Sequence, residues 1–157
     1  MYTISNFSIK SKEEIKKIGI EFIGDISWDN DGYRILDKDE ESGGKPIDGF
    51  LYEKYENGNL DYYAMFKCGL DEGETVEFYE TGSVKCYAEK SRGLSNGIVV
   101  EWYESGIIKK FEKRVYGILD TYTKWDEQGN IIEKVTETID ENKVLIVERR
   151  KKYEQRK

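Results

Sequence analysis

Three consecutive stretches of the chain repeat one pattern, and this repetition decides the fold. They read GFLYEKYENGNLDYYAMFKCGLDE (49–72), GETVEFYETGSVKCYAEKSRGLSN (73–96) and GIVVEWYESGIIKKFEKRVYGILD (97–120), and a looser copy, TYTKWDEQGNIIEKV, follows at 121–135. Glycine recurs every 24 residues in three columns, for example at Gly58, Gly82 and Gly106. A period of this length is typical of an array of small supersecondary units. We therefore expect the whole chain, 1–157, to form a single domain built around tandem repeats.

The glycines divide each full copy into two short strands joined by a tight turn. In the second copy, a strand over 74–79 is followed by the turn Glu80-Thr81-Gly82 and by a strand over 83–91. A three-residue loop needs positive φ only at its glycine, where it forms a type I turn with a G1 bulge. This register places Tyr79 opposite Ser83 and Glu77 opposite Lys85. Consecutive hairpins then predict a mainly β fold, an elongated antiparallel sheet of tandem β-hairpins.

Alternate residues of a strand face opposite sides of a sheet, so the register predicts an apolar core face and an outer face. The predicted core face contains Phe50, Tyr52, Leu60, Tyr62, Ala64, Phe66, Val76, Phe78, Val84, Cys86, Ala88, Ile98, Val100, Trp102 and Ile108. The outer face carries carboxylates and aromatic rings, and we predict that it binds a partner through Glu53, Tyr55, Tyr63, Glu77, Tyr79, Tyr87, Glu101, Tyr103 and Phe111. Ordinary cross-strand pairs and surface β-formers are the alternative interpretation of the same residues.

The segments that flank the repeats are expected to protect the two ends of the sheet. Residues 1–23 form the N-terminal cap, with a weak strand pattern at 2–9 and a capping box, Ser11 to Glu14, that begins a short helix. Residues 24–48 are interpreted as a diverged first repeat, since WDNDG at 28–32 resembles WDEQG at 125–129. Residues 136–157 are expected to give a final strand at 144–147 and a basic tail, which could be helical or disordered.

The residue types that most catalytic and metal sites need are scarce. The chain has no histidine, which removes the commonest general base and transition-metal ligand. Cys68 and Cys86 form no CxxC motif, and the predicted sheet holds them too far apart for a disulfide, which suits a reducing compartment. Asp29 and Asp31 partly match a calcium loop, but Lys38 replaces its bidentate glutamate, so a plain turn is favoured. We predict no enzyme activity, no catalytic residue, no cofactor and no metal.

The charge is unevenly distributed. The chain carries a net charge of −7, but residues 148–157 carry +4, so residues 1–147 carry −11. An acidic body favours a basic partner and disfavours nucleic acid, although solubility alone explains it equally well. No apolar stretch is long enough to span a membrane, and residues 1–6 have neither the charged start nor the apolar core of a signal peptide. We therefore expect a cytoplasmic protein without a transmembrane segment.

The repeated motif resembles that of MORN-type repeats in their bacterial variant. The matching residues are Trp102-Tyr103-Glu104-Ser105-Gly106 preceded by Gly93-x-x-x-Gly97, and the likeness covers 49–135 well and 24–48 weakly. The resemblance implies an array of hairpins without catalytic activity. Small bacterial proteins made mostly of such repeats are often antitoxin or immunity partners of polymorphic toxins. The resulting hypothesis is a non-catalytic immunity protein that binds a cognate protein toxin with a basic surface and occludes it. The alternative is a scaffold or adaptor, associated with a membrane surface through its basic tail.

Overall fold

The structure, a computed structural model, describes residues 3–155. A 3₁₀ turn at Ile4–Asn6 precedes helix α1 (Lys12–Ile18), and helix α2 (Asp140–Glu154) follows the strands. The strands are β1 (Gly19–Glu21), β2 (Ser27–Trp28), β3 (Ile35–Leu36), β4 (Gly49–Lys54), β5 (Leu60–Lys67), β6 (Leu70–Phe78), β7 (Val84–Ser91), β8 (Leu94–Trp102), β9 (Ile108–Val115), β10 (Ile118–Trp125) and β11 (Ile131–Val135).

Nine of these strands form one sheet. Its order is β1-β4-β5-β6-β7-β8-β9-β10-β11, and β2 pairs with β3 in a separate hairpin. β1 joins β4 in parallel, whereas every other neighbouring pair in this sheet is antiparallel. The predicted long antiparallel sheet of tandem hairpins with a short N-terminal helix is therefore confirmed. The sheet places equivalent residues of successive repeats in rows across the strands.

Two kinds of turn alternate along the array. At one end, the Gly82 N–H donates to the Tyr79 carbonyl and the Tyr79 N–H to the Ser83 carbonyl, both at 2.8 Å, and Gly82 has φ +94°. This confirms the predicted type I turn with a G1 bulge. At the other end, Arg92 and Gly93 form a two-residue turn in which both residues have positive φ, the geometry of a type I′ hairpin. β6 consequently begins at Leu70, before the predicted start at 74.

A second bulge follows each G1 turn and changes the predicted register. Glu77 pairs with Cys86 instead of Lys85, because Lys85 is an extra residue next to the Phe78–Val84 pair. The same shift occurs in the hairpins on either side. One extra residue in a strand exchanges the faces of all the side chains beyond it. Leu60, Val84 and Ile108, which precede the extra residue, keep their predicted place in the core. Beyond the extra residue, the second strand of each hairpin presents the opposite set of side chains from the predicted one.

The inner face of the sheet, which bears Tyr52, Val76 and Trp102, is covered by the N-terminal segment. The Phe7 ring lies 5.5 Å from the Trp102 ring, and Ile15 of α1 is completely buried against the same cluster. Burying apolar side chains in this way is the main stabilising contribution to a fold of this size. The N-terminal cap thus provides one wall of the core.

The opposite, outer face, which bears Glu53, Glu77 and Glu101, is covered at the start of the array by the segment before β4. There Ile35 and Ile47 of the segment before β4 pack against Leu51 and Phe66 in a second buried cluster. Ala64 and Phe66 are buried, as predicted, but in this second cluster. Tyr62, Cys86 and Ala88 were predicted on the core face, but they lie on the outer face. Their pairing partners in the neighbouring strands, Glu53, Glu77 and Val99, face the same side.

The N-terminal helix follows its sequence signal closely. The Ser11 N–H donates to Glu14 Oε2 at 2.7 Å, and the Glu14 N–H donates to Ser11 Oγ at 3.2 Å, which is the predicted capping box. The helix ends at Gly19, also as predicted. The weak strand pattern at 2–9 is not realised within the described residues, where a 3₁₀ turn occupies Ile4–Asn6.

The predicted final strand at 144–147 is wrong, because these residues lie inside α2. The run Val144-Leu145-Ile146-Val147 has high β propensity, but only Ile146 of this run is buried. α2 packs against β9 and β10 instead of pairing with β11. None of the helices in residues 3–155 is both long enough and apolar enough to cross a bilayer.

α2 closes the array by supplying the donors that another hairpin would supply. The turn glycines Gly93 and Gly117 donate to the Asp71 and Ser95 carbonyls of the preceding repeat, and the equivalent carbonyl of the last repeat, Leu119, accepts from Asn142 Nδ2 at 2.8 Å. The residues one position further along each repeat follow the same pattern. The side chains of Asp48, Glu72 and Asn96 accept backbone N–H groups of the next turn. Asp120, at the same repeat position, accepts from the hydroxyl of Thr138, which lies just before α2.

Candidate partner-binding surface

The outer face carries a continuous row of polar side chains across six strands. From β4 to β9, successive paired residues are Glu53, Tyr62, Glu77, Cys86, Glu101 and Lys110. Three of these are the carboxylates that the sequence predicted for this face. Tyr62 of this row packs against the second buried cluster, whereas the three glutamates of the row are at least partly accessible.

The charge of this row changes along the array. Burial and the nearby charge of Asp61 raise the pKa of Glu53, and within residues 3–155 this carboxylate has no ion-pair partner. Glu77 lies 3.7 Å from Lys85 Nζ, an exposed pair of little energetic weight. Glu101 is bound more closely, 2.7 Å from Lys110 Nζ. Negative potential is therefore concentrated toward Glu53 and Glu77.

Glu112 lies on the same face in the adjacent row, but it has a structural role. It is 6% exposed and lies 2.7 Å from Arg114 Nε and 3.2 Å from Lys110 Nζ. Burial alone would raise the pKa of this carboxyl, but the hydrogen bonds from Arg114 and Lys110 lower it below its usual value. The carboxylate is satisfied internally, so we assign it to the stability of the last repeats.

Three of the aromatic residues predicted for partner binding face the core. Tyr63 is completely buried, Phe111 is buried, and the centre of the Tyr87 ring lies 4.8 Å from that of the Phe7 ring, with the two rings tilted. The Tyr63 hydroxyl accepts a hydrogen bond from the Lys10 N–H at 2.9 Å. The prediction that these three side chains lie on the outer face is wrong, because the second bulge in each hairpin reverses the alternation.

The other three predicted aromatic residues connect one repeat to the next. The hydroxyls of Tyr55, Tyr79 and Tyr103 donate to the carbonyls of Phe78, Trp102 and Trp125 at 2.7, 2.8 and 2.9 Å. Their rings are half-buried at the G1-turn end of the sheet. The 24-residue spacing signalled this role in the sequence, since a column of identical residues in neighbouring hairpins can bond repeat to repeat. The edges of their rings can contact a partner, but their hydroxyls already donate to carbonyls of the next repeat.

The two cysteines differ in their surroundings. Burial raises the pKa of the Cys86 thiol to about 12, which keeps it protonated near neutrality. Cys68 lies in an exposed turn, and both thiols are free, as predicted. Within the described part of the chain, no group of three or more cysteine, aspartate or glutamate residues is arranged to hold a metal ion.

Sequence reasoning missed a second accessible cluster, at the opposite end of the hairpins. Trp28 and Tyr33 flank the polar turn Asp29–Gly32 and are 54% and 73% exposed. Their side chains lie beside Arg92 and Tyr153, which are distant in sequence. One local signal in the sequence could have indicated this cluster: two large aromatic residues border a short polar turn, which offers them few side chains to pack against.

Comparison with known proteins provides one informative relative. No protein-family model matches the chain, and no solved structure matches it. The immunity protein YwqK of Bacillus subtilis (strain 168) is 50% identical over 139 residues, which cover 88% of this chain and 90% of that protein. Identity at this level over nearly the full length of both proteins leaves no large part of either unmatched. The chain therefore belongs to the family of the immunity protein YwqK.

Proposed function

We propose that this chain is an immunity protein that neutralises a cognate protein toxin by binding and occluding it. The observation that carries the proposal is the 50% identity with the immunity protein YwqK over most of both chains. The repeated hairpins support it, because an extended sheet offers a broad surface for a macromolecule. The motif that these hairpins share further supports a MORN-type array.

The mode of action that fits the surface is stoichiometric binding without chemistry. The outer-face carboxylates form a regular row of similar environments, whereas an acid–base pair needs two groups whose pKa values are driven apart. We infer that no cofactor or metal takes part. The two free thiols are consistent with a reducing cytoplasm as the place of action.

We infer that the toxin presents a basic area to the outer face. Glu53 and Glu77 form the part of the row with the least compensation by lysine, and the half-buried rings of Tyr55 and Tyr79 border it. Complementary charge of this kind accelerates association and orients the partners. The edges of these two aromatic rings provide contact area that is already ordered before binding.

The direct test is co-expression in bacteria with candidate toxins encoded next to this chain. We expect growth to be restored by this chain and the toxin to co-purify with it. The variant Glu53→Lys/Glu77→Lys should lose protection, whereas Glu13→Lys/Glu41→Lys, which reverses two exposed carboxylates elsewhere, should protect as the original does. Failure of the unaltered chain to protect against each neighbouring toxin would contradict the proposal.

A membrane-surface adaptor is the second candidate, and one feature of α2 favours it. Val144 and Val147 are 60% and 50% exposed, and Arg150 and Lys151 follow them on the same helix. Apolar and basic side chains together are typical of segments that lie on anionic bilayers. Flotation with phosphatidylserine vesicles separates the candidates, because an immunity protein should stay with the unbound fraction.

A further inference from the structure

A groove lies at the end of the array where the two-residue turns meet the β2–β3 hairpin and the last turn of α2. Two adjoining cavities of about 720 and 400 Å³ form it, and both are lined by Tyr33, Leu70, Arg92 and Tyr153. We call this region the turn-end groove. It is separate from the row of glutamates on the outer face.

The turn-end groove is cationic although the chain as a whole is acidic. Arg34, Lys67 and Arg92 line it with exposed side chains. Among residues 3–155, none of the three forms an ion pair with a carboxylate. Arg34 Nη1 donates to the Cys68 carbonyl at 2.5 Å, and the Arg92 guanidinium lies 5.7 Å from the centre of the Tyr153 ring. Arg34 and Arg92 are thus held in place by contacts other than ion pairs.

Aromatic side chains stand beside these cations. Tyr33 is 73% exposed and Trp28 is 54% exposed, and Tyr153 stacks on Tyr116 with ring centres 4.9 Å apart. Tryptophan, tyrosine and arginine are the residue types that most often dominate the affinity of protein–protein interfaces. Exposed side chains of all three types in one concave region indicate a surface that a partner covers.

The walls of the groove are fixed by backbone hydrogen bonds. The Ile35 N–H donates to the Gly69 carbonyl, and the Gly69 N–H donates to the Ile47 carbonyl, both at 2.9 Å. A Cβ at position 69 would come within 2.8 Å of the Ile35 carbonyl, so only glycine permits this approach. A preformed groove costs less conformational entropy on binding than one that must be ordered.

We propose that the turn-end groove binds an acidic segment of the partner protein. Carboxylates of the segment contact Arg34, Lys67 and Arg92, and the two guanidinium groups can each form bidentate hydrogen bonds with a carboxylate. An apolar or aromatic side chain of the segment packs against Tyr33 and Trp28. The proposal rests on the proposed immunity function and adds a second contact of opposite charge to the outer face. A toxin that presents a basic area and an acidic segment would be held in one orientation.

Single-stranded nucleic acid also binds to cations interleaved with aromatic rings. Two features favour a protein segment instead. Asp71 and Glu72 line the groove with the cations, and the acidic body around it repels a long polyanion. A short acidic segment that lies on the three cations extends less far over the acidic body and avoids most of the repulsion that a long polyanion meets.

The test uses a fluorescent ten-residue peptide of alternating glutamate and tyrosine, with ten-nucleotide oligothymidine as the competing probe. Fluorescence anisotropy at low salt should show that the peptide binds the full chain more tightly than the oligonucleotide. Lys67→Gln/Arg92→Gln should weaken peptide binding by about tenfold or more, as expected for interface anchors. The matched control, Lys16→Gln/Lys17→Gln on α1, removes the same charge and should bind as the original does. Tyr33→Ala, at an exposed position that the fold does not need, should also weaken binding.

Equal binding by the groove variants and the control would overturn the proposal, and so would tighter binding of oligothymidine. The co-expression assay separates this proposal from the immunity function. If the unaltered chain protects cells and Lys67→Gln/Arg92→Gln protects equally well, the groove is not the contact but the immunity function stands. If the unaltered chain protects against no toxin, the immunity function fails, and the peptide measurement alone decides whether the groove binds acidic segments.

Discussion

Tyr79 shows how single residues join the repeats. Its hydroxyl donates to the Trp102 carbonyl in the next hairpin at 2.8 Å. Tyr79→Phe should lower the free energy of unfolding by about 1 kcal/mol, the usual net value of one hydrogen bond. Tyr33→Phe is the control, because the Tyr33 side chain is 73% exposed and should change stability by less than about 0.5 kcal/mol. Urea unfolding followed by circular dichroism measures both, and identical midpoints for Tyr79→Phe and the original chain would contradict the role.

Gly69 and Gly93 occupy the same position of successive turns but differ in their surroundings. Both have positive φ, +76° and +79°, and an added Cβ would meet the Ile35 carbonyl at position 69 but no atom within 4 Å at position 93. Gly93→Ala should therefore cost only the conformational penalty, about 1–2 kcal/mol. Gly69→Ala should cost at least about 1 kcal/mol more, because the backbone must also move away from the β2–β3 hairpin. Equal losses of stability in urea would show that the close approach is unimportant.

Glu112 should give the chain part of its pH dependence. Its pKa in the folded state is lowered, so its contribution is complete above the pKa of the unfolded chain and is lost as the pH falls through the folded pKa. Glu112→Gln should destabilise the protein by about 2 kcal/mol near pH 7, since it leaves Lys110 and Arg114 without their carboxylate. The difference between the two proteins should shrink as the pH is lowered from about 5 toward 3. A difference that stays constant over this range would contradict the assignment.

At the scale of elements, the turns could be predicted and the second bulge could not. Gly58, Gly82 and Gly106 recur because each G1 turn needs positive φ, which leaves a visible mark in the sequence. The extra residue Lys85 needs no such special conformation and looks like any exposed strand residue. Without this residue and its equivalents in the neighbouring hairpins, Tyr63, Tyr87 and Phe111 were predicted on the wrong face, so half of the predicted aromatic contacts are core residues.

α2 is the element whose local sequence was most misleading. The run 144–147 has strand propensity, but the docking of Ile146 and the bond from Asn142 to the Leu119 carbonyl favour a helix, so tertiary contacts override propensity. Ile146→Ala should reduce stability by about 2–4 kcal/mol, as is usual for a buried large-to-small change. Hydrogen exchange should show reduced protection across α2.

The matched control for this prediction lies on the same helix. Val144→Ala changes a side chain that is 60% exposed and should alter stability by less than about 0.5 kcal/mol. If both variants preserve the protection of α2, the helix does not depend on Ile146, and the account of how it closes the array would have to be replaced.

At the scale of the whole molecule, the fold separates two surfaces of opposite charge. The outer face presents Glu53 and Glu77, whereas the turn-end groove presents Arg34, Lys67 and Arg92. The outer-face carboxylates could be predicted from repetition within the sequence. The groove could not, because it combines the β2–β3 hairpin, two turns and α2, which no local pattern brings together.

We propose that this chain neutralises a toxin by occupying its surface. The most direct measurement is a titration of purified toxin activity with increasing amounts of this chain. We expect inhibition to be complete when the two proteins are equimolar, and we expect the inhibited toxin to elute with this chain as one complex. Inactivation of the toxin by a small fraction of an equivalent would reveal catalysis, and full toxin activity at excess would exclude binding. Either result would contradict neutralisation by stoichiometric binding.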